Sequence, residues 1–183
     1  LDYSIQLSKL FYERFITNEE ITLFSPHDVP GLYDSFGTER FDDLYLKYEN
    51  DESIPKSSVG AQELILDLLK ERAETGRIYI MNIDHCNSHS SFKDKVSMSN
   101  LCQEITLPTE PIQHIDDHLG EISLCILSAV NVGTIRSDKE LEDLCDLSVR
   151  GLEELIDYQE YPVKAAELAT KARRTLGIGY IGL

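Results

Sequence analysis

The sequence predicts an α/β fold built on a mainly parallel sheet or barrel. Stretches with helical apolar spacing alternate with short β-branched stretches along the chain. A helix-like segment runs through Gly76 straight into Arg77-Ile-Tyr-Ile-Met-Asn-Ile83, which is half of a β/α unit. Residues 120–130 read as a nearly continuous apolar strand, the pattern of a strand covered on both faces. The 183 residues suffice for one domain, 1–183, with a sizeable core.

The elements follow in order. Ile5, Leu7, Leu10, Phe11 and Phe15 predict a helix over 3–16, and Ile21-Thr-Leu-Phe24 a short extended run. Ser25-Pro26 and Val29-Pro30-Gly31 force turns. A second helix is predicted over 39–48, ending in the polar stretch 49–55. Ser57 or Ser58 can cap the next, whose stripe is Ala61, Leu64, Ile65, Leu68 and Leu69 and whose end is Gly76. After the 77–83 strand come a polar loop, 84–97, and an extended segment, Ser99–Thr109, closed by Pro108 and Pro111. Ser137-Asp-Lys-Glu140 is a capping box, opening a helix with Leu141, Leu144, Cys145, Leu152, Leu155 and Ile156 inward. Pro162 permits another helix to about Arg174, and the final apolar run, 177–183, is a last strand.

The net charge of −16 opposes direct binding to nucleic acid or an anionic membrane, since both are polyanions and no Lys/Arg cluster matches them. No run of about 18 apolar residues, the length of a membrane span, occurs. The four cysteines, Cys86, Cys102, Cys125 and Cys145, lack a CxxC pair and are too few for a disulfide scaffold. That usage fits a reducing, cytoplasmic compartment, where cysteine is core filler, redox catalyst or nucleophile. The chain opens on Leu1 and stops in an apolar run without a polar tail, so a fragment of a longer protein is expected.

Several motifs match in letters only. Gly177-x-Gly179-x-x-Gly182 has the spacing of a dinucleotide fingerprint, but a helix precedes it, where the mechanism needs a strand before and a helix after. Asp84-His85-Cys86-Asn87-Ser88-His89 holds possible metal ligands without a second ligand pair, so no metal site is expected. Ser25, His27 and Asp28 can be assembled as a triad, but no Gly-x-Ser-x-Gly elbow accompanies them. Arg173-Arg174 either holds an anion or complements a helix dipole.

Asn100-x-Cys102-x-Glu104 is more informative. In an extended segment the three side chains share a face, with Leu101, Gln103 and Ile105 opposite. An amide, a thiol and a carboxylate on one face cost too much to be packing alone. Two readings remain at this level: a reactive Cys102, or a hydrogen-bonded structural strand.

Ile21-Thr-Leu-Phe-Ser-Pro26, Asp28-Val-Pro-Gly-Leu-Tyr33, Thr75-Gly-Arg-Ile-Tyr-Ile80, Asp84-His-Cys-Asn87, Ser99-Asn-Leu-Cys102 with Glu104, Asp157-Tyr-Gln159 and Arg173-Arg-Thr-Leu-Gly-Ile-Gly179 stand in order along the chain. With these blocks the chain resembles the large, catalytic subunit of aerobic class I ribonucleoside-diphosphate reductase, over its full length and over a middle segment of that family's chain. The resemblance implies part of a ten-stranded α/β barrel, two parallel five-stranded halves with surrounding helices. It implies that Cys102 carries a transient thiyl radical that abstracts the 3′ hydrogen of a ribonucleotide. Glu104 is then the base for the 3′-hydroxyl, and Asn100 orients the ribose hydroxyls. Ser99, Asn100, Leu101, Cys102, Gln103 and Glu104 together form the substrate-binding segment, and Cys125 matches one of two reductant thiols.

The same resemblance implies partners. A small subunit containing a metal supplies the radical, thioredoxin or glutaredoxin re-reduces the site, and the large subunit forms a homodimer. ATP and deoxynucleotide effectors bind elsewhere in the full subunit, so no cofactor is expected on this segment. A second reductant cysteine, the radical-relay tyrosines and the C-terminal cysteine pair are not among these residues, so the isolated chain is expected to be inactive. The alternatives are a reductase class with another radical source, and a non-catalytic or split-subunit piece acting as an assembly module.

Overall fold

The computed structural model describes residues 3–183. The chain forms two compact units, one running to Pro108 and the other spanning Thr109–Leu183. The first unit contains β1 (Tyr3–Leu7), α1 (Lys9–Thr17), β2 (Glu20–Phe24), α2 (Leu32–Ser35), α3 (Arg40–Glu49), β3 (Lys56–Gly60), α4 (Ala61–Thr75), β4 (Ile78–Asn82) and α5 (Ile83–Ser88). The second contains β5 (Ile126–Asn131), α6 (Asp138–Tyr158), α7 (Lys164–Arg173) and β6 (Leu176–Ile181). The architecture is mixed α/β, as predicted. Its strands form three pairs, and no closed barrel exists among the described residues.

β1 pairs parallel with β4, from Tyr3 opposite Ile78 to Leu7 opposite Asn82. This corrects the helix predicted over 3–16, of which only the second half forms. Tyr3, Ile5 and Leu7 also alternate with period two, and Ser8 starts the helix afresh by accepting from the Phe11 N–H at 3.3 Å. Leu7 and Phe11 then pack on Ala61 at the start of α4.

β2 and β3 form an antiparallel pair, Glu20 opposite Gly60. Ser57 and Ser58 are therefore strand residues, and neither caps α4. Its first N–H, that of Ala61, donates instead to the Glu19 carbonyl at 3.0 Å. At the other end Gly76 has φ +69 and closes the helix as predicted.

A polar network ties α1, β2 and α3 together. Arg14 makes a two-pronged contact with Glu49, at 2.6 and 2.5 Å, and donates to the Glu20 carbonyl. Thr22 Oγ1 donates to the same carboxylate at 2.6 Å, and the Tyr45 hydroxyl donates to Thr22 O at 2.9 Å. The Arg14 side chain is 10% exposed and that of Glu49 22%. The arginine holds the Glu49 carboxyl below the usual range.

The polar stretch after β4, predicted as a loop, opens with α5. Asp84 Oδ2 accepts from Lys9 N at 2.5 Å, so a residue 75 positions away caps α1. Asn87 grips Val96 by both backbone groups, at 2.8 and 3.0 Å, and so holds Val96 against Met81 and Ile83.

In the second unit β5 and β6 pair in parallel, Ile126 opposite Leu176. The strand predicted over 120–130 is confined to its second half, and it is not covered on both faces: Leu127 is 63% exposed and Val130 7%. Among the described residues β6 is its only partner strand. The Ser137 cap on Glu140 N forms, while Glu140 reaches back to Arg136 N at 2.8 Å. Of the six residues predicted inward on α6, Leu152 and Ile156 are buried, Leu144 is half-buried, and Leu141, Cys145 and Leu155 are exposed, because β5, β6 and α7 cover only part of this helix. No helix of the described residues is long and apolar enough to cross a membrane.

Removing the charge in Glu49→Gln is expected to cost about 1.5–3 kcal/mol, the range for a hydrogen bond to a charged group. Because the folded-state pKa is depressed, the stabilisation is complete above the unfolded pKa and is lost as pH falls through the folded value. Urea denaturation should therefore show the gap between wild type and variant closing as pH falls from about 5 towards 2.

Candidate active site

The candidate residues lie on two stretches of irregular chain. Asn100, Cys102 and Glu104 belong to the first unit, and Cys125 to the second.

The first stretch is anchored at both ends. On the way in, Val96 is fully buried under the grip of Asn87, and Gln6 of β1 donates to Ser97 O at 3.1 Å. On the way out, Leu107 and Pro108 are buried. Between these anchors the chain rises to an exposed tip.

The extended geometry predicted from Ser99 onward does not form at the motif. Gln103 N donates to Asn100 O at 3.1 Å and Gln103 has φ +67, so residues 100–103 make a turn. The assignment of Asn100, Cys102 and Glu104 to one face by strand alternation is therefore corrected. The cause is local: Asn100 Oδ1 accepts from Ile105 N at 3.0 Å, a bond that closes the loop, and no strand pairs with this segment among the described residues. Ser99 Oγ adds a donor to Ile105 O at 2.5 Å.

Cys102 and Glu104 are exposed at the tip, Leu101 is 64% exposed, and Ser99, Asn100 and Gln103 are half-buried. With Oδ1 engaged, Asn100 Nδ2 has no hydrogen-bond partner among the described residues. The loop thus presents an amide donor, a thiol and a carboxylate within five residues, the equipment to bind a hydroxyl-bearing ligand and to move a hydrogen and a proton on it. The Gln103 Oε1 beside them is buried without a partner, and its backbone is in the left-handed region, a strain that functional loops tend to carry.

Cys125 is half-buried just before β5. A Cβ at Gly177 would stand 3.0 Å from its sulfur and 2.5 Å from Leu127 Cδ2, so the missing side chain makes room for the thiol. Gly177 and Gly179 lie within β6, which disposes of the dinucleotide fingerprint. Thr175 Oγ1 donates to Leu124 O at 3.3 Å and Arg173 pairs with Glu121 at 2.6 Å. Sequence reasoning missed these supports. The sequence offered Arg173-Arg174 as an anion holder or as a complement to a helix dipole; the structure pairs Arg173 with Glu121 and Arg174 with Glu153 and Asp157.

The other candidates are not brought into either loop. His85 of α5 meets His89, the residue after the helix, edge to face, and Asp84 is turned to Lys9. No group of three or more metal-ligating side chains occurs among the described residues. Burial pushes the Cys86 thiol up. His27 is 95% exposed, with only Asp28 at 3.2 Å.

Along its whole length, residues 1–183, the chain matches the family model described as the ribonucleotide reductase barrel domain. It is 56% identical over 186 residues to a ribonucleoside-diphosphate reductase subunit alpha of Haemophilus influenzae, covering 99% of this chain and 25% of that one. The subunit of the same name from Buchnera aphidicola and the reductase 1 subunit alpha of Escherichia coli are each 54% identical, over 99% of this chain and 24% of theirs. The chain thus spans about a quarter of the length of the curated relatives it matches.

The turn can be tested directly. Gln103→Gly is expected to leave stability unchanged or raise it by up to about 1 kcal/mol, since glycine accepts positive φ without cost. Gln103→Pro, which cannot adopt that φ and lacks the N–H that Asn100 O receives, is expected to destabilise. Equal tolerance of both in chemical denaturation would mean that the turn does not form in solution.

Proposed function

Since the chain belongs to the ribonucleotide reductase barrel-domain family, we propose that it is a segment of a ribonucleoside-diphosphate reductase large subunit, carrying the loop whose cysteine receives and uses the radical as a thiyl. The two parallel pairs, β1–β4 and β5–β6, support placing these strands in a ten-stranded barrel of two parallel five-stranded halves.

The observation that carries this function is the closed turn at Asn100–Ile105. It spends one end of the Asn100 amide on the loop itself and leaves the other end, the Cys102 thiol and the Glu104 carboxylate exposed at one tip. On a ribonucleoside diphosphate, Asn100 Nδ2 donates to a ribose hydroxyl and fixes the sugar's orientation. The Cys102 thiyl takes the 3′ hydrogen, and Glu104 takes the proton of the 3′-hydroxyl. Loss of the 2′-hydroxyl as water requires two electrons, supplied by Cys125 and a second thiol that end as a disulfide. A dry interior protects the radical from stray donors, which supports a barrel as its container.

The radical itself comes from a separate, metal-containing small subunit, and the disulfide is reduced by thioredoxin or glutaredoxin. The relatives' designation as subunit alpha supports a multisubunit enzyme. ATP and deoxynucleotide effectors bind outside this segment, the large subunit forms a homodimer, and the enzyme works in the cytoplasm.

Turnover of the full-length subunit with its small subunit tests these roles. Cys102→Ser is expected to reduce nucleotide reduction to background. Glu104→Gln is expected to lower kcat on the order of 10²–10⁴-fold, the usual contribution of a general base. Retained reduction in Cys102→Ser together with abolished reduction in Cys125→Ser would make the radical assignment wrong.

A further inference from the structure

We propose that Arg173, acting through Glu121, is a positioning residue for the Cys125 thiol; this rests on Cys125 being a reductant thiol. Residues 122–125 have no regular secondary structure, so no strand ladder holds the cysteine. Backbone hydrogen bonds fix both ends of the segment. At its start Glu121 bridges to Glu110, with N–H to carbonyl bonds of 3.0 and 3.1 Å in both directions. At its end Ile126 N donates to Thr175 O at 3.4 Å and enters the ladder with β6.

The five residues Arg173–Gly177 touch this segment at three places. Arg173 Nη2 donates to Glu121 Oε2 at 2.6 Å, and the two side chains are 14% and 34% exposed. Thr175 Oγ1 donates to Leu124 O at 3.3 Å. Gly177 leaves the space the sulfur fills, where a Cβ would stand 3.0 Å from it. Thr175 and Gly177 therefore set the height of the cysteine above β6. Neither touches the start of the segment, where the charged pair adds a side-chain restraint to the backbone bridge between Glu121 and Glu110.

The neighbouring arginine supplies an internal control. Arg174 makes ion pairs with Glu153 and Asp157 of α6 and none with the 121–125 segment. Losing Arg174 removes ion pairs to α6 and leaves the Glu121 contact in place, so it separates a general loss of charge pairing from a loss at the segment that carries the thiol.

The test uses the full-length subunit with its small subunit. Cys125 alkylation by iodoacetamide is timed by peptide mass spectrometry, beside kcat, KM and thermal unfolding. Arg173→Met and the milder Glu121→Gln are each expected to change the Cys125 alkylation rate. They are also expected to lower kcat by on the order of 10- to 10²-fold, the scale of a misplacement near 1 Å, with KM unchanged. Arg173→Lys should recover most of the loss, and Arg174→Met should leave alkylation and kcat at wild-type values. Wild-type alkylation and kcat in Arg173→Met, or a loss matched by Arg174→Met and tracking the fraction unfolded, would overturn the proposal. Wild-type turnover in Cys125→Ser would instead remove the reductant role itself, and the positioning role with it.

Discussion

The bond from the Ile105 N–H to Asn100 Oδ1 sets what the cysteine loop can do. A backbone that leaves its strand must satisfy its own polar groups, and here a side chain of the motif does so. One end of a single amide closes the loop, and the other end has no hydrogen-bond partner among the described residues. With the turn closed, Cys102 and Glu104 stand at its tip instead of alternating along a ladder. Much of the first unit serves this loop at a distance: Asn87 of α5 grips Val96, Gln6 of β1 holds Ser97, and Leu107 and Pro108 bury the exit.

Cys125 is held by a different device. Its segment lies just outside the β5–β6 ladder, and Arg173, Thr175 and Gly177 contribute hydrogen bonds and space to its support. The two thiols differ accordingly. Cys102 is exposed at the tip of a turn, and Cys125 is half-buried against the backbone of β6. The difference suits the proposed roles: a one-electron hydrogen abstractor has to reach its substrate. A thiol that gives electrons and closes a disulfide has to be held at a fixed separation from its partner, which makes support of its backbone the larger requirement.

Legibility in the sequence followed the range of the interactions. The Ser137 cap, the Gly76 helix end and the β6 run are decided by neighbours within a few residues, and each was readable. Ser57 and Ser58 misled because a serine before an apolar stripe looks like a cap, whereas pairing with β2 makes both strand residues. β1 hid within a helical pattern because its partner lies about seventy residues on, at β4. The motif's geometry was not legible: strand alternation put its three polar side chains on one face, and the turn that forms depends on a side-chain bond that spacing does not encode. The exposed residues of α6 and of β5 were misread because an apolar pattern shows which face can be buried and not whether a neighbouring element covers it.

The central claim is that the Asn100–Ile105 loop receives the ribose. The most direct measurement is a crystal structure of the full-length subunit with a ribonucleoside diphosphate bound. The expected result has Cys102 Sγ against C3′ of the sugar, Asn100 Nδ2 donating to a ribose hydroxyl, and Asn100 Oδ1 still bonded to Ile105 N. A ribose seated away from this loop, or an Asn100 amide turned so that the Ile105 bond is broken, would contradict it.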